Sequence, residues 1–320
     1  MAVVPSHAEY VRSVLTSGAI AGSPVATSWQ RCAEQYRLDP ATPPRMRRLS
    51  DAELGELEQG MEPILRSAGP ALERLQRATG NRGVCQLLTN AEGIPLHWSG
   101  AECDQGELQA WGLCRGVDWS EVHNGTNGIG TSLIERRALV VRQDQHYYAR
   151  ALAITCASAP VYDHDGALAG ALNVTFYGIA SNMAPAGLLL STITDAARQI
   201  EIDHFHRHFR HASVISLPWP ARCGAVLLAV DRDNVVIGAS RGARHVLGLC
   251  DAAIRQGVVA SDCLDALNGA EGEDGLAHAE RGAIRRALLR ERGNVTATSR
   301  RLGISLATAK RKICSHAIRR

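Results

Sequence analysis

Six residues near the C-terminus, Ser305, Leu306, Thr308, Lys310, Arg311 and Lys312, combine hydroxyls, a methyl-bearing side chain and cations within eight positions. Hydroxyls and cations at that density suit hydrogen bonding and charge neutralisation along a phosphate backbone, and an apolar side chain among them can meet a thymine methyl. Asn294 and Thr296, slightly upstream, add two more polar groups to the same segment. The chemistry they predict is recognition of double-stranded DNA rather than catalysis.

Two short helices and a tight turn must position those groups. Gly293 can take positive φ to close a preceding helix, and Asn294 can cap the next. Val295 and Leu302 fall on one face, Gly303 suits a left-handed corner, Ile304 packs the turn, Ser305 caps the last helix and Ile313 anchors it inward. The second helix would then point its N-terminal end at base edges. Residues 281–320 hold twelve Arg or Lys against one acid, a formal +11, whereas the whole chain is +3. The remainder therefore carries about −8, and a basic module on an acidic body is the electrostatic pattern of nucleic-acid binding.

This segment resembles the Fis-type helix-turn-helix that ends bacterial enhancer-binding regulators, on the pattern GN, small residues, LGIS, Thr and a basic RK pair. Three positions depart from it. Leu306 stands where the family usually has Arg, Ala309 where it has Leu, and Lys310 where it often has Tyr. Leu306 cannot form a bidentate contact to guanine, so a different base preference is expected, and Ala309 predicts lighter helix packing.

Further upstream, residues 23–40 carry an S-W-x-R-C block in which Trp29 is expected to act as a packing anchor. Residues 45–48, RMRR, read as a solvated basic run. From Leu49 the apolar spacing is helical, with Ser50 a cap. Residues 83–89 and 94–100 form one predicted hairpin around NAEG, and residues 154–163 and 167–178 a second. Between them, residues 111–133 are rich in glycine, with Thr126 or Asn127 capping a helix start. The run from Gly125 to Gly130 does not match G-x-G-x-x-G and follows no clear strand, which argues against a dinucleotide site.

Residues 123–141 and 158–175 resemble the GAF sensor of acetoin-regulator-type transcription factors, and the S-W-x-R-C block resembles their N-terminal opening. The resemblance spans about residues 60–210 and implies an antiparallel sheet flanked by helices, with a small organic effector held on one face of the sheet. By fold position it implicates Trp111, Trp119, His123, Thr126 and Asn127 in ligand binding, together with Ile129, His146, Cys156, Ser158 and Asn173. The alternative is a sensor domain that binds a protein partner, making the chain a DNA-binding adaptor.

Residues 186–211 predict a long helix with Leu189, Ile193, Ala196 and Ile200 in a stripe, about 39 Å long at ~1.5 Å per residue, suited to a homodimer seam or a lever. His204, His208 and His211 share one face, but no acid or cysteine completes a metal set, so no metal and no cofactor is expected. Residues 224–249 read as strand, turn, strand and helix, resembling the opening of a PAS domain too short to be complete.

The expected class is α+β, in five parts. A helical segment covers 1–58, a GAF-like sensor 59–212, a truncated PAS-like spacer 213–267, a linker 268–275 and an all-α Fis-type module 276–320. Three Phe and six Tyr among 45% hydrophobic residues point to aliphatic cores. Nine scattered cysteines without a Cys-x-x-Cys pair predict reduced thiols. No signal peptide or membrane span is read, so a cytoplasmic protein is expected.

Regulators resembling this one usually carry an AAA+ ATPase between sensor and tail. The only lysines here are Lys310 and Lys312, so the phosphate-binding G-x-x-x-x-G-K-[ST] loop has no candidate, and no GAFTGA-like loop for a sigma-54 polymerase is present. Neither H-E-x-x-H nor G-x-S-x-G occurs, and Asp163, His164 and Asp165 sit in a turn. The expectation is a transcriptional regulator, not an enzyme, acting through effector-dependent DNA binding or contact with ordinary RNA polymerase.

Overall fold

The computed structural model of the chain describes residues 6–17, 23–80, 82–183, 185–219, 224–267, 275–291, 293–316 and 318. Two compact units result. The first comprises Met1–Asp163 with Ala167–Arg207, and the second His164–Gly166 with His208–Arg320.

In the first unit, α1 (His7–Ser17) and α2 (Pro24–Glu34) precede α3 (Asp51–Thr79), which starts on a capping box between Ser50 and Glu53. The boundary expected at residue 58 falls inside α3. The hairpin β1 (Val84–Thr89) and β2 (Pro95–Gly100) leads through α4 (Gln105–Ala110), α5 (Glu121–Asn124) and α6 (Gly128–Glu135) to β3 (Leu139–Arg142). A second hairpin, β4 (Ile154–Tyr162) and β5 (Leu168–Tyr177), is followed by α7 (Ala180–Met183) and α8 (Ala186–His208). The five strands form one antiparallel sheet in the order β2-β1-β5-β4-β3.

Strand alternation gives this sheet two buried faces. Ala157, Ala159, Val161, Leu172, Val174 and Phe176 pack on one face against Ile64, Ala68 and Leu72 of α3 and Leu189, Ile193, Ala197 and Ile200 of α8. The stripe on α8 is therefore spent on its own sheet, with Ala197 buried where the sequence pointed to Ala196, and the helix stops three residues early at His208. Cys85, Leu87, Ile154, Cys156, Ala171 and Tyr177 face the other way, onto Leu108, Trp119, Ile129 and Leu133. Strand β3 escaped the sequence reading because its four residues carry Arg142 and stand at the sheet edge.

The second unit holds a three-stranded antiparallel sheet, β6 (Ser213–Leu217), β7 (Val226–Val230) and β8 (Val236–Ala239), in that order. Helices α9 (Arg241–Leu247), α10 (Asp251–Gln256) and α11 (Ala260–Leu267) follow. The turn, strand and helix read at 224–249 are present; β6 was not read, since only its pairing with β7 organises its short polar-apolar run. Residues 268–274 of the expected linker lie outside the described residues. The chain then forms α12 (Gly275–Arg290), α13 (Val295–Arg301) and α14 (Leu306–Ser315) around Ile284, Leu288 and Ile313, with Val295 and Leu302 packed against them.

Candidate functional site

Helix α13 starts on Asn294, whose side chain accepts from the Thr296 and Ala297 amides at 3.1 Å each. Gly293 and Gly303 take φ of +80° and +65°, values a side chain at either position would strain. Ser305 caps α14 by accepting from the Thr308 amide at 3.1 Å, and its hydroxyl lies 2.8 Å from the Thr308 hydroxyl. Ala309 and Ile313 are buried, so the small side chain at 309 sets how closely α14 seats.

Leu306, Lys310 and Arg311 are exposed. Lys312 is different: its ammonium pairs with Glu280 of α12, which also accepts from His316 at 3.2 Å. Those hydrogen bonds hold the Glu280 carboxyl below its ordinary pKa. Lys312 thus ties two helices together, a use invisible in the sequence because Glu280 lies 32 residues away. Asn294 and Ser305 serve as caps, and Thr296 is exposed on the first turn of α13.

In the sensor unit, α6 lies directly on the sheet. A Cβ on Gly128 would stand 2.6 Å from Cys156 Cβ and 2.9 Å from Ser158 Oγ, so only glycine permits this contact. Beneath it, Ser158 donates to Asn173 Oδ1 at 2.6 Å and Asn173 donates to Thr175 Oγ1 at 2.8 Å. Burial raises the Cys156 thiol to about 11. Ile129 packs in the same layer. Asn127 caps α6 through the Gly130 amide and donates to the carbonyls of Trp119 and Gly125.

Thr126 is claimed by the N-terminal helix instead. Its hydroxyl lies 2.7 Å from Ser28 Oγ, which donates to Glu121 Oε2 at 2.6 Å. Arg31 meets Glu121 Oε1 at 2.6 Å and Glu135 at 3.1 Å. Burial alone would lower the Arg31 pKa, but bonding and charge from Glu121, then Glu135, raise it. Trp29 is buried and donates to the Gln145 carbonyl at 2.9 Å. The S-W-x-R-C block is therefore clamped onto the glycine-rich turn. His146 is buried beside it, its pKa pushed down to about 4 by desolvation, with Nδ1 against the Gln143 carbonyl at 3.1 Å.

Among the cavities of this unit, two have side chains expected from the sequence in their walls. One, of 320 Å³, has Trp111 and Trp119 in its wall with Met46, Ile154, Arg45 and Arg150. The other, of 610 Å³, is lined by His123, Asp118, Val122 and acidic residues of α3. His123 Nδ1 lies 2.8 Å from Asp118. Of the ten ligand positions expected from sequence, the structure brings Trp111 and Trp119 to one cavity and His123 to the other. Thr126, Asn127, Ile129, His146, Cys156, Ser158 and Asn173 are committed to internal packing.

Sequence reasoning missed Met46, Arg45 and Arg150. For the first two the signal was RMRR, whose three arginines are exposed as a solvated run implies. Its backbone also runs alongside the 116–118 segment, with Arg48 bridged to Val117, the Leu49 amide on Gly116 O and the Asp118 amide on Arg47 O. Met46 fills the space above Gly112, where φ is +77°.

Residues 6–201 match the family described as MimR, N-terminal domain, and residues 275–313 match the Fis family of bacterial regulatory proteins. The acetoin catabolism regulatory protein of Cupriavidus necator is 30% identical over 227 residues, 70% of this chain and 34% of that protein. The propane 2-monooxygenase operon transcriptional activator MimR of Mycolicibacterium smegmatis is 30% identical over 164 residues, 49% of this chain and 27% of its own. The chain thus spans about a third or less of the length of the curated relatives it matches. Among solved structures, the E. coli DhaR(N)–DhaL complex superposes with a TM-score of 0.50 at 19% identity, covering 75% of this chain and 80% of that one. That likeness establishes the fold of the sensor, a helix-flanked antiparallel sheet of GAF-like type.

Proposed function

The chain belongs to the MimR N-terminal-domain family, and on that premise we propose that it is a DNA-binding transcriptional regulator whose sensor unit answers to a small organic effector. The observation that carries the proposal is α13–turn–α14. Its caps are formed, its turn glycines are left-handed, and Lys310 and Arg311 stand exposed beside Leu306 on a helix of 10 residues, about 15 Å long, which fits a major groove. Phosphate neutralisation by Lys310, Arg311 and the surrounding arginines supplies affinity; Leu306 and Thr308 supply base preference.

Regulation proceeds without ATP hydrolysis and without a sigma-54 contact. Between the two family matches lie only residues 202–274, whose described part is the end of α8, the sheet of β6 to β8 and three short helices. The protein acts in the cytoplasm as a homodimer, so that two recognition helices meet successive half-sites. Among the described residues no helix is long and apolar enough to cross a membrane.

The test is a mobility shift of the full-length protein on DNA from upstream of its own reading frame, across 50 to 200 mM salt. Tight binding with a steep negative salt slope is expected, and replacing Lys310 and Arg311 by Ala should flatten it. No binding at low salt by a folded protein overturns the proposal. Capture of a defined protein partner with no response to any small molecule would transfer the sensor's role to adaptor.

A further inference from the structure

We propose that the effector is a small organic carboxylate, held in the 320 Å³ cavity with its apolar body between the indoles of Trp111 and Trp119 and its charge on Arg45 and Arg150. The inference rests on the effector reading above and sharpens it to a chemical class.

Three features of the cavity carry it. First, the wall is divided by chemistry. Met46, Ala110, Ala151 and Ile154 join the two tryptophans as an apolar chamber, while the only charged lining groups are two guanidinium ions. Second, neither guanidinium is neutralised. Among the described residues neither Arg45 nor Arg150 pairs with a carboxylate; Arg150 donates to the Pro44 carbonyl at 3.0 Å and to Asn124 Oδ1, both uncharged, and lies 5.2 Å from the centre of the Tyr148 ring. Other arginines of this unit, such as Arg31, Arg66 and Arg115, do reach acids. A planar guanidinium with donors to spare is the matching partner for a carboxylate, which it can hold bidentately.

Third, the aromatic wall is fixed before any ligand arrives. Trp119 donates from Nε1 to the Gly112 carbonyl at 2.9 Å, and Trp111 stacks edge-on to Tyr177 with ring centres 5.9 Å apart. Tyr177 is itself held by Asp104 at 2.6 Å. Arg45 and Met46 ride on the 44–49 strap that runs beside residues 116–118, so the start of the basic run forms part of the cavity wall. A volume of 320 Å³ sits at the small end of ligand pockets, which suits acids of roughly six to ten non-hydrogen atoms.

The experiment titrates full-length protein with benzoate and, separately, with the isosteric neutral benzamide, reading tryptophan fluorescence and the thermal midpoint. Butyrate and 2-pentanone provide an aliphatic pair. Carboxylates are expected to bind at least ten-fold tighter than their neutral partners. Arg150→Gln should erase that ratio while leaving the neutral ligand's affinity within two-fold, and Arg45→Gln, on an exposed residue without a folding role, should reduce it too. Equal or tighter binding of the neutral compounds overturns the carboxylate class yet leaves small-molecule sensing standing. A preference unchanged in both variants overturns the assignment of the two arginines. If no compound of either kind perturbs fluorescence or midpoint, the effector reading itself falls with the proposal.

Discussion

The Arg31 guanidinium meets the Glu121 carboxylate at 2.6 Å, and the Glu121 side chain has no solvent exposure at all. Helix α2 is thereby welded to the start of α5, 90 residues later in the chain and just ahead of the glycine-rich turn that opens α6. Removing one partner of a buried pair leaves the other charge uncompensated, which typically costs about 3–5 kcal/mol. Arg31→Met should lower the urea midpoint of the sensor by a corresponding amount, and adding Glu121→Gln should restore at least half of the loss. Equal stability of Arg31→Met and the parent would show that α2 does not dock as described.

Helix α6 tolerates no side chain at Gly130. A Cβ on Gly130 would stand 2.7 Å from the Trp119 carbonyl oxygen and closer still to the Glu121 amide, both backbone atoms that cannot rotate away. Gly130→Ala is expected to destabilise the sensor by ~1–3 kcal/mol through overpacking. Thermal unfolding checks it; an unchanged midpoint contradicts the close approach.

Stability should fall with acid before the carboxylates titrate. His146 is neutral when folded, its pKa depressed by burial to about 4 from 6.5. The unfolded chain therefore binds the proton more readily, so the stability from keeping His146 neutral is complete above about pH 6.5 and drains away as pH falls toward 4. Linkage over that interval amounts to about 3 kcal/mol at most. His146→Phe should show a flatter stability profile between pH 6.5 and 4.5 in parallel urea titrations. Identical slopes would rule out His146 as the source.

Thiol reactivity should separate the cysteines by burial. Cys103, Cys250 and Cys314 are exposed, whereas Cys32, Cys85, Cys156 and Cys263 are buried and burial raises each of their pKa values. Native labelling at pH 7.5, read by peptide mass spectrometry, should modify the first three within minutes and spare the other four until denaturant is added. Rapid modification of Cys156 would mean that α6 leaves the sheet.

The recognition helix divides its cations between two tasks. Lys310→Ala and Arg311→Ala should each reduce the salt slope of DNA binding by about one, as expected for one lost phosphate contact. Lys312→Ala, by removing the tie to Glu280, should act mainly on the thermal stability of the C-terminal helices. Leu306→Arg should move preference toward guanine at the facing base pair, measurable by selection from a randomised duplex pool.

Local chemistry made much of this molecule legible in advance. Caps at Ser50, Asn127, Asn294 and Ser305, left-handed corners at Gly293 and Gly303, and the two hairpins depend on a few neighbouring residues, so the one-dimensional pattern suffices. The sensor's two strong hairpins and the helix-turn-helix follow from such signals, as does the family resemblance they carry. What lay beyond reach were edge strands β3 and β6, too short to show a period and defined only by the strand that pairs with them.

The tertiary structure alone decided what each polar group is for. Thr126, Ser158 and Asn173 have the right types to grip a ligand, yet Ser28 and the close packing of Gly128 turn them into internal hydrogen-bond partners. Arg45 and Arg150, separated by more than 100 residues, come to one cavity wall because the 44–49 strap finds residues 116–118. Lys312 pairs with Glu280, which lies 32 residues away in the chain. The sequence by itself determined the elements and the basic recognition helix, because those are set by chain neighbours. Burial and charge partnership arise between residues distant in sequence, and they were settled only when the chain folded.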